Sequence, residues 1–340
     1  MTIIINTRTL KHNLTGTQRY LKEILNRIGD NANYVEPPNR FAQGIKGHLW
    51  EQIILPTKIK NNILWSPGNT GPIATKRQVI SIMDFTTIDH PEWFSKSFSS
   101  LYQFILPRLV KNTLHTIAIS EYTKERIIKL TGVGEDKVTV TLLAADKRFI
   151  PSTIDKIQYL KDSLGISKNY ILSVGSLEPR KNLKRLFDAW KNWQNRPDDL
   201  ELVVAGGQGK VFSNIGFDEV PNGIKLLGRV DDTDLPVLYS GAIFFIYPSL
   251  YEGFGLPPLE AMSCGTPVIS SNTTSIPEVV GDAGLLINPC STGEILDAMK
   301  EMYKNESLRI RYNKEGIERA KLFSWENTAK ETVNILKSFE

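Results

Sequence analysis

The segment "YEGFGLPPLEAMSCGTPV" (251–268) keeps two glutamates, Glu252 and Glu260, eight positions apart in an otherwise apolar stretch with three glycines. It follows the buried-looking run "AIFFIYPS" (242–249) and precedes "PVISS" (267–271), so it reads as a strand, a turn, a short helix from near Pro257 closed by Gly265, and a return strand. Proline suits a first helical turn. The exposed N–H groups and positive dipole end there favour an anion, which Gly253 and Gly255 let approach the backbone closely. On this reading Glu252 lies in the loop and Glu260 in the first helical turn, reaching different parts of one ligand. Dipole compensation accounts for one of these carboxylates but not for both.

A second loop, "GSLEPRKN" (175–182), follows the strand-like "YILSVGS" (170–176) and places Arg180 beside Lys181. A guanidinium fork next to an ammonium suits a diphosphate, and stabilises it most as it departs and gains charge. In a third loop, "LTGTQRY" (14–20), Gly16 permits close backbone approach. The acidic "DDTD" (231–234) has the look of an Asp-x-Asp metal motif. It sits where a strand gives way to a helix, a favourable place for Asp as a cap and dipole partner, and is read as capping rather than metal.

These loops need strands behind them. Short β-branched runs at 2–6, 62–66, 78–83, 115–120 and 137–143 alternate with helical patterns, among them Tyr20, Leu21, Ile24, Leu25 and Ile28 on one face and "EYTKERIIKL" after a Ser120 cap. After "DKRFIPSTID" (146–155) the alternation restarts, with strands at 170–176, 200–207, 224–230, 242–249, 267–271 and 284–289. Two runs of βα units predict two doubly wound parallel domains, residues 1–150 and 151–324, with ligands beyond the strands' carboxyl ends in a cleft between them. Helical stretches at 293–304, 306–321 and 325–339 follow the last strand, and the final one (325–340) is expected to return to the first domain.

The 340 residues exceed what one core usually serves. A composition of 41% hydrophobic and 23% charged residues is that of a folded soluble protein. Residues 1–150 carry 20 Lys+Arg against 12 Asp+Glu, and residues 151–340 carry 21 against 25. The basic front half suits a phosphate-bearing ligand or an anionic membrane, while the lack of a dense basic run with interleaved aromatics argues against nucleic acid. Cys264 and Cys290 have neither disulfide nor zinc spacing, which points to a cytoplasmic protein. No run approaches the roughly 18 apolar residues of a membrane span, so membrane contact is expected only peripherally, at the inner face. The stretch "KSFSSLYQFILPRLVKN" (96–112) sets Phe98, Leu101, Tyr102, Ile105 and Leu109 on one helical face, either core or a surface for an anionic leaflet.

The segments "GSLEPRKN", "LLGRVDDTDLPVLYSGA", "YPSLYEGFGLPPLEAMSCGTPVISSNTTSIPEVVGDAGLLINP" and "FSWENTAKE" closely resemble the retaining glycosyltransferases of family 4, the group 1 glycosyltransferases. The likeness covers nearly all of residues 115–340. "TGTQRY" and "MDFTTIDHPEWF" extend it more loosely into the first half. The resemblance implies a GT-B fold, two Rossmann-like domains facing across a cleft, with a nucleotide-diphosphate sugar on the second domain and a saccharide or polyprenyl-linked acceptor on the first. It also implies no cofactor and no required metal. By position, Glu252 is similar to the glutamate that contacts donor-sugar hydroxyls, and Glu260 to the one that binds the ribose. Gly253, Phe254, Gly255 and Leu256 match the turn whose backbone meets sugar and phosphate. Arg180 and Lys181 match the diphosphate pair, Gly16 the first-domain loop near the phosphates, and Arg229 with Val230 the strand end beside the base. Asp84 matches the aspartate of a His-Asp pair. Here the preceding residue is Met83, which cannot supply the histidine's hydrogen bond; His90 is the substitute candidate.

The resemblance implies retaining transfer of a hexose, mannose as first choice, in surface-polysaccharide or lipopolysaccharide synthesis. A sugar-nucleotide epimerase of the same architecture needs acid/base residues around the sugar, and none of the four histidines falls in these loops. A noncatalytic nucleotide-sugar-binding partner protein is the other alternative, motivated by Met83.

Overall fold

The computed structural model describes residues 3–11, 16–28, 32–207 and 220–339. Among them the chain forms two compact units. One holds Met1–Pro91, Lys96–Leu143 and Ser324–Glu340, the other Glu92–Ser95 and Ala144–Phe323.

The first unit contains a six-stranded parallel sheet of β1 (Ile3–Asn6), β2 (Ala32–Val35), β3 (Ile63–Pro67), β4 (Gln78–Ile82), β5 (His115–Ala118) and β6 (Val138–Val140), in spatial order β2-β1-β3-β4-β5-β6. The second repeats the plan with β7 (Asn169–Val174), β8 (Leu200–Ala205), β9 (Ile224–Gly228), β10 (Phe244–Tyr247), β11 (Val268–Ser271) and β12 (Leu285–Ile287), in order β12-β11-β10-β7-β8-β9. Strands β1, β3, β4, β5 and β10 are buried along their whole length. This is why they read as continuous apolar runs rather than alternating ones, since helices cover both faces of a parallel sheet. The unforeseen strand is β2, "ANYV", a short edge strand whose Asn33 and Tyr34 are exposed and which therefore has no apolar run.

The helix Leu183–Lys191 shows how the second core closes. Leu183, Leu186, Phe187 and Trp190 recur at helical spacing and pack with Ile171, Leu202 and Phe244 of the sheet. Truncating the fully buried Trp190 to Ala would cost about 3–5 kcal/mol. In the first unit Ser120 caps the helix Glu121–Thr131 by accepting from the Thr123 amide at 3.0 Å, as its position predicts.

Two sequence expectations need correction, and one alternative left open is settled. The units divide after Leu143 rather than 150, because residues 144–153 attach to the second unit. There Phe149 meets the Tyr239 ring edge-on at 5.9 Å, and the Ser152 amide donates to Ser240. The apolar face of Lys96–Asn112 is core and not a membrane surface, since Ile105 and Leu109 are buried among Ile80, Ile82 and Phe85. Asp234 stands at the cap position of the helix Leu235–Ser240, but its side chain makes no capping bond; the backbone carbonyl of Asp231 accepts from the Asp234 and Leu235 amides instead. The helix Trp325–Lys337 lies in the first unit. Trp325 meets the Tyr20 ring at 6.4 Å, Thr328 donates to the Leu142 carbonyl, and Arg27 bridges to Glu326 at 2.8 Å.

Candidate functional site

In the second sheet the chain runs from β7 outward to β8 and β9, then returns to the other side of β7 as β10. The gap between β7 and β10 is therefore the topological switch point, where loops leaving adjacent strands diverge and open a crevice. The loop after β7 carries Arg180 and Lys181; the loop after β10 carries Glu252. The two are locked together by the Leu250 amide, which donates to the Arg180 carbonyl at 2.7 Å, with Ser249 Oγ 3.0 Å from the same oxygen. Asn182 adopts a left-handed conformation, φ 59°, and its amide nitrogen reaches the carbonyls of Pro248 and Pro289 at 3.0 and 2.7 Å.

The sequence assigns Glu252 and the two cations separate tasks; the structure brings them into direct contact. One Glu252 oxygen accepts from Arg180 at 2.7 Å. The other accepts from Lys181 at 2.7 Å, Tyr247 at 2.7 Å and Ser249 at 2.6 Å. Arg180 also pairs with buried Glu178 at 2.9 Å, and Glu178 accepts from Ser176 at 2.6 Å. Two cations thus face two carboxylates in a site where Lys181 and Glu252 are each 7% exposed. Burial alone would raise the Glu252 carboxyl, but the Arg180 and Lys181 charges and the bonds from Lys181 and Ser249 outweigh it and hold it at about 2. Burial also lowers Lys181, with Arg180 adding and Glu252 opposing. Tyr247 is raised well above the phenol range, first by burial and then by the Glu252 charge, so it stays a neutral donor. The result is a preorganised ion cluster whose Arg180 side chain is 21% exposed.

The turn that follows is shaped by Gly255, at φ 124°, where an added Cβ would lie 2.9 Å from Ile276 Cδ1. Ser275 Oγ lies 2.9 and 2.7 Å from the carbonyls of Glu252 and Phe254, able to donate to one or the other, and spans the Gly253–Phe254 backbone between. The helix begins at Leu256 and runs to Ser263, so Glu260 lies in its second turn, not its first. That position is too deep for dipole compensation to explain it. Buried Glu260 instead accepts from Tyr239 at 3.2 Å. Beside β8 and β9, Arg229 is exposed and Val230 half-buried just past the β9 end. Gly206 (φ 155°) comes so near the Gly175 carbonyl that any Cβ would overlap it, bringing the ends of β7 and β8 together.

In the first sheet the switch point lies between β1 and β3, and it too is polar. Glu51, fully buried, accepts from Asn6 at 2.6 Å and from Thr70, and lies 3.3 Å from Arg8 Nε. Arg8 also donates to Thr70 at 3.2 Å. Burial pushes the nearby Tyr102 phenol up to about 12; the Arg8 charge opposes this, while Glu51 and Asp84 add to it. Asp84 accepts from the Thr86 amide at 3.0 Å, and Asn69 ties the strand end together through the Met83 amide and the Asp84 carbonyl at 2.6 and 3.2 Å. Met83 is buried and His90 half-buried. Gly16 opens the helix Gly16–Ile28; residues 12–15 of its loop lie outside the described residues.

Sequence reasoning passed over Glu178, Tyr247, Ser249 and the Arg8–Glu51 pair. Glu178 lay within the quoted basic loop, and Tyr247 ends the strand that feeds Glu252. The partners Arg8 and Glu51 stand in separate elements and leave no local pattern.

Comparison with known proteins agrees with this architecture. The family model described as "Glycosyl transferases group 1" matches residues 158–319. The O-antigen chain mannosyltransferase B of Escherichia coli is 30% identical over 99% of this chain and 100% of its own. The serotype-specific mannosyltransferase WbdA of the same species is 31% identical over 62% of this chain, which spans only about a quarter (27%) of that longer relative. Among solved structures, Anabaena Alr3699/HepE in complex with UDP and glucose superposes with a TM-score of 0.78 at 18% identity, covering 99% of this chain and 100% of that one. Two Rossmann-like units with charged loops at their switch points are thus a GT-B fold, and with a relative 30% identical from end to end, the chain belongs to the group 1 glycosyltransferases.

Proposed function

We propose that the chain transfers a mannosyl residue, with retention, from a nucleotide-diphosphate mannose to a saccharide or lipid-linked saccharide acceptor in O-antigen or related surface-polysaccharide synthesis. The observation that carries the site reading is the Arg180–Glu252–Lys181 cluster at the β7/β10 switch point, where a buried carboxylate fixes two cations side by side. The choice of mannose rests on the mannosyltransferase relatives. As the bond between the anomeric carbon and the diphosphate oxygen breaks, its electron pair moves to the diphosphate, whose growing charge Arg180 and Lys181 offset. The acceptor oxygen attacks the same face and its proton passes to the departing phosphate. No protein nucleophile and no metal are needed in this scheme, because the fixed cations and turn N–H groups supply the electrostatics. Glu252 positions the sugar and the cations together, Glu260 the ribose, Arg229 and Val230 the base, and Asp84 the acceptor side. Among the described residues no helix is long and apolar enough to cross a membrane, so a lipid-linked acceptor would be met at the bilayer surface.

The test is transfer from GDP-mannose, with UDP-hexoses in parallel, to a mannose-terminated oligosaccharide, the anomeric configuration of the product read by NMR. A retained linkage from GDP-mannose is the expected outcome. Epimer formation without transfer, or binding with neither, would replace this reading with one of the two alternatives.

A further inference from the structure

The helical run behind the first switch point has an outer face that the fold does not use. It comprises the helix Gly44–Leu49, a π turn over Trp50–Ile54 and the helix Leu55–Ile59. Its inner side is fully engaged: Trp50, Leu55 and Ile59 pack with Ile4 and Leu64. Glu51 reaches Asn6, Thr70 and Arg8, and Gly47 lets the Arg8 guanidinium pass where a Cβ would sit 2.9 Å away. The outer side carries Ile45, Leu49 and Ile53, which are 76%, 52% and 65% exposed.

Single exposed aliphatics are ordinary, but three at four-residue spacing form a row. In an α-helix each such step drifts by about 40°; the wider π turn winds more slowly and opposes the drift, which keeps Ile53 in line with Leu49. Rotating the helix to bury this row would pull Glu51 away from its partners, so the buried ion pair fixes the row outward. Along this run the exposed charge is of one sign, and the nearest exposed acid in the sequence, Glu36, is held by Lys11 at 3.2 Å. From 37 to 60 the exposed charged residues are Arg40, Lys46, Lys58 and Lys60, and the sole acid in that span is the buried Glu51.

We propose that this face, Ile45, Leu49 and Ile53 on a run that also exposes Arg40, Lys46, Lys58 and Lys60, docks on an anionic lipid surface. An apolar row on a run whose exposed charges are all cations matches an acyl boundary beneath anionic headgroups, whereas a complementary protein surface would have to supply acids for every lysine. The proposal deepens the lipid-linked acceptor reading and rests on a different face from Lys96–Asn112, for which the sequence left core and membrane surface open.

Co-sedimentation of the full chain with phosphatidylcholine vesicles, with and without phosphatidylglycerol, tests it independently of any acceptor. The parent should bind the anionic vesicles and release them at high salt. A Leu49→Asp/Ile53→Asp variant should lose binding by at least about tenfold, while Ile310→Asp, another exposed aliphatic but in the second unit, should bind as the parent does. Circular dichroism and transfer from GDP-mannose to a soluble oligosaccharide should be unchanged in both variants. Undiminished vesicle binding by the double variant, no binding by the parent at low salt, or a parent dimer that the double variant dissolves would overturn the proposal, the last by naming a second copy as the occupant. Failure of soluble transfer with intact vesicle binding would instead count against the mannosyltransferase reading alone.

Discussion

Replacing Glu252 with Gln leaves the shape of the side chain and removes the charge that holds Arg180 and Lys181. A carboxyl held at about 2 in the fold, against 4.5 ordinarily, contributes about 3 kcal/mol at neutral pH, at 1.36 kcal/mol per pH unit of displacement. Because the folded value is the depressed one, this contribution is complete above about 4.5 and is lost as pH falls through about 2. The variant cannot titrate, so the stability gap between parent and Glu252→Gln should be roughly constant from neutral pH to about 5 and shrink from about 4.5 down to about 2, as the unfolded parent takes up a proton that the folded carboxyl accepts only near 2. Urea unfolding of the second unit's tryptophan fluorescence, followed across that range, measures the gap. Single-turnover transfer at neutral pH should fall more than nucleotide affinity falls, since the cations stay present but lose their fixed geometry. A gap under about 0.5 kcal/mol at neutral pH, or one that does not change with acidity, would show that the four contacts to Glu252 are not the cluster's anchor.

Glu260→Gln should weaken binding of the free nucleoside diphosphate by about tenfold to a hundredfold in calorimetry, the loss expected when a charged partner of a bound hydroxyl is neutralised. Gly255→Ala forces a Cβ onto Ile276 at φ 124° and should destabilise by about 1–3 kcal/mol in urea unfolding. Gly293→Ala, with only Ser291 Oγ near at 3.9 Å, should be neutral or slightly stabilising. Transfer should survive excess EDTA; loss restored by magnesium or manganese would return attention to Asp231, Asp232 and Asp234.

The parts of this molecule written as continuous patterns were readable in advance. Buried parallel strands announce themselves as runs such as "AIFFIYPS", and a helix packing one face repeats Leu183, Leu186, Phe187 and Trp190 at helical spacing. The edge strand β2 escaped because half of it faces water. For the site, residue types and loops could be named, because glycine, proline and charge cluster after strands. What could not be read was which charges touch. Arg180 and Glu252 are 72 positions apart and meet only because β7 and β10 are neighbours in the sheet, an order that a chain of similar βα units does not spell out. The same holds for Arg8 and Glu51, and for the outward row on Gly44–Ile54. Its apolar residues look like core until Glu51 is seen to fix the opposite face inward.

The first unit's reliance on Ser324–Glu340 sets an order of events during synthesis. Its six strands are all translated by Val140, yet the surface of Gly16–Ile28 that receives Trp325 stays uncovered until some two hundred further residues have emerged. The second unit draws almost wholly on one uninterrupted stretch, Ala144–Phe323, and can finish while the first still waits. The half made first is then the half completed last. During that interval Tyr20 and its neighbours form an exposed apolar seam on the nascent chain, open to a chaperone or to the wrong helix.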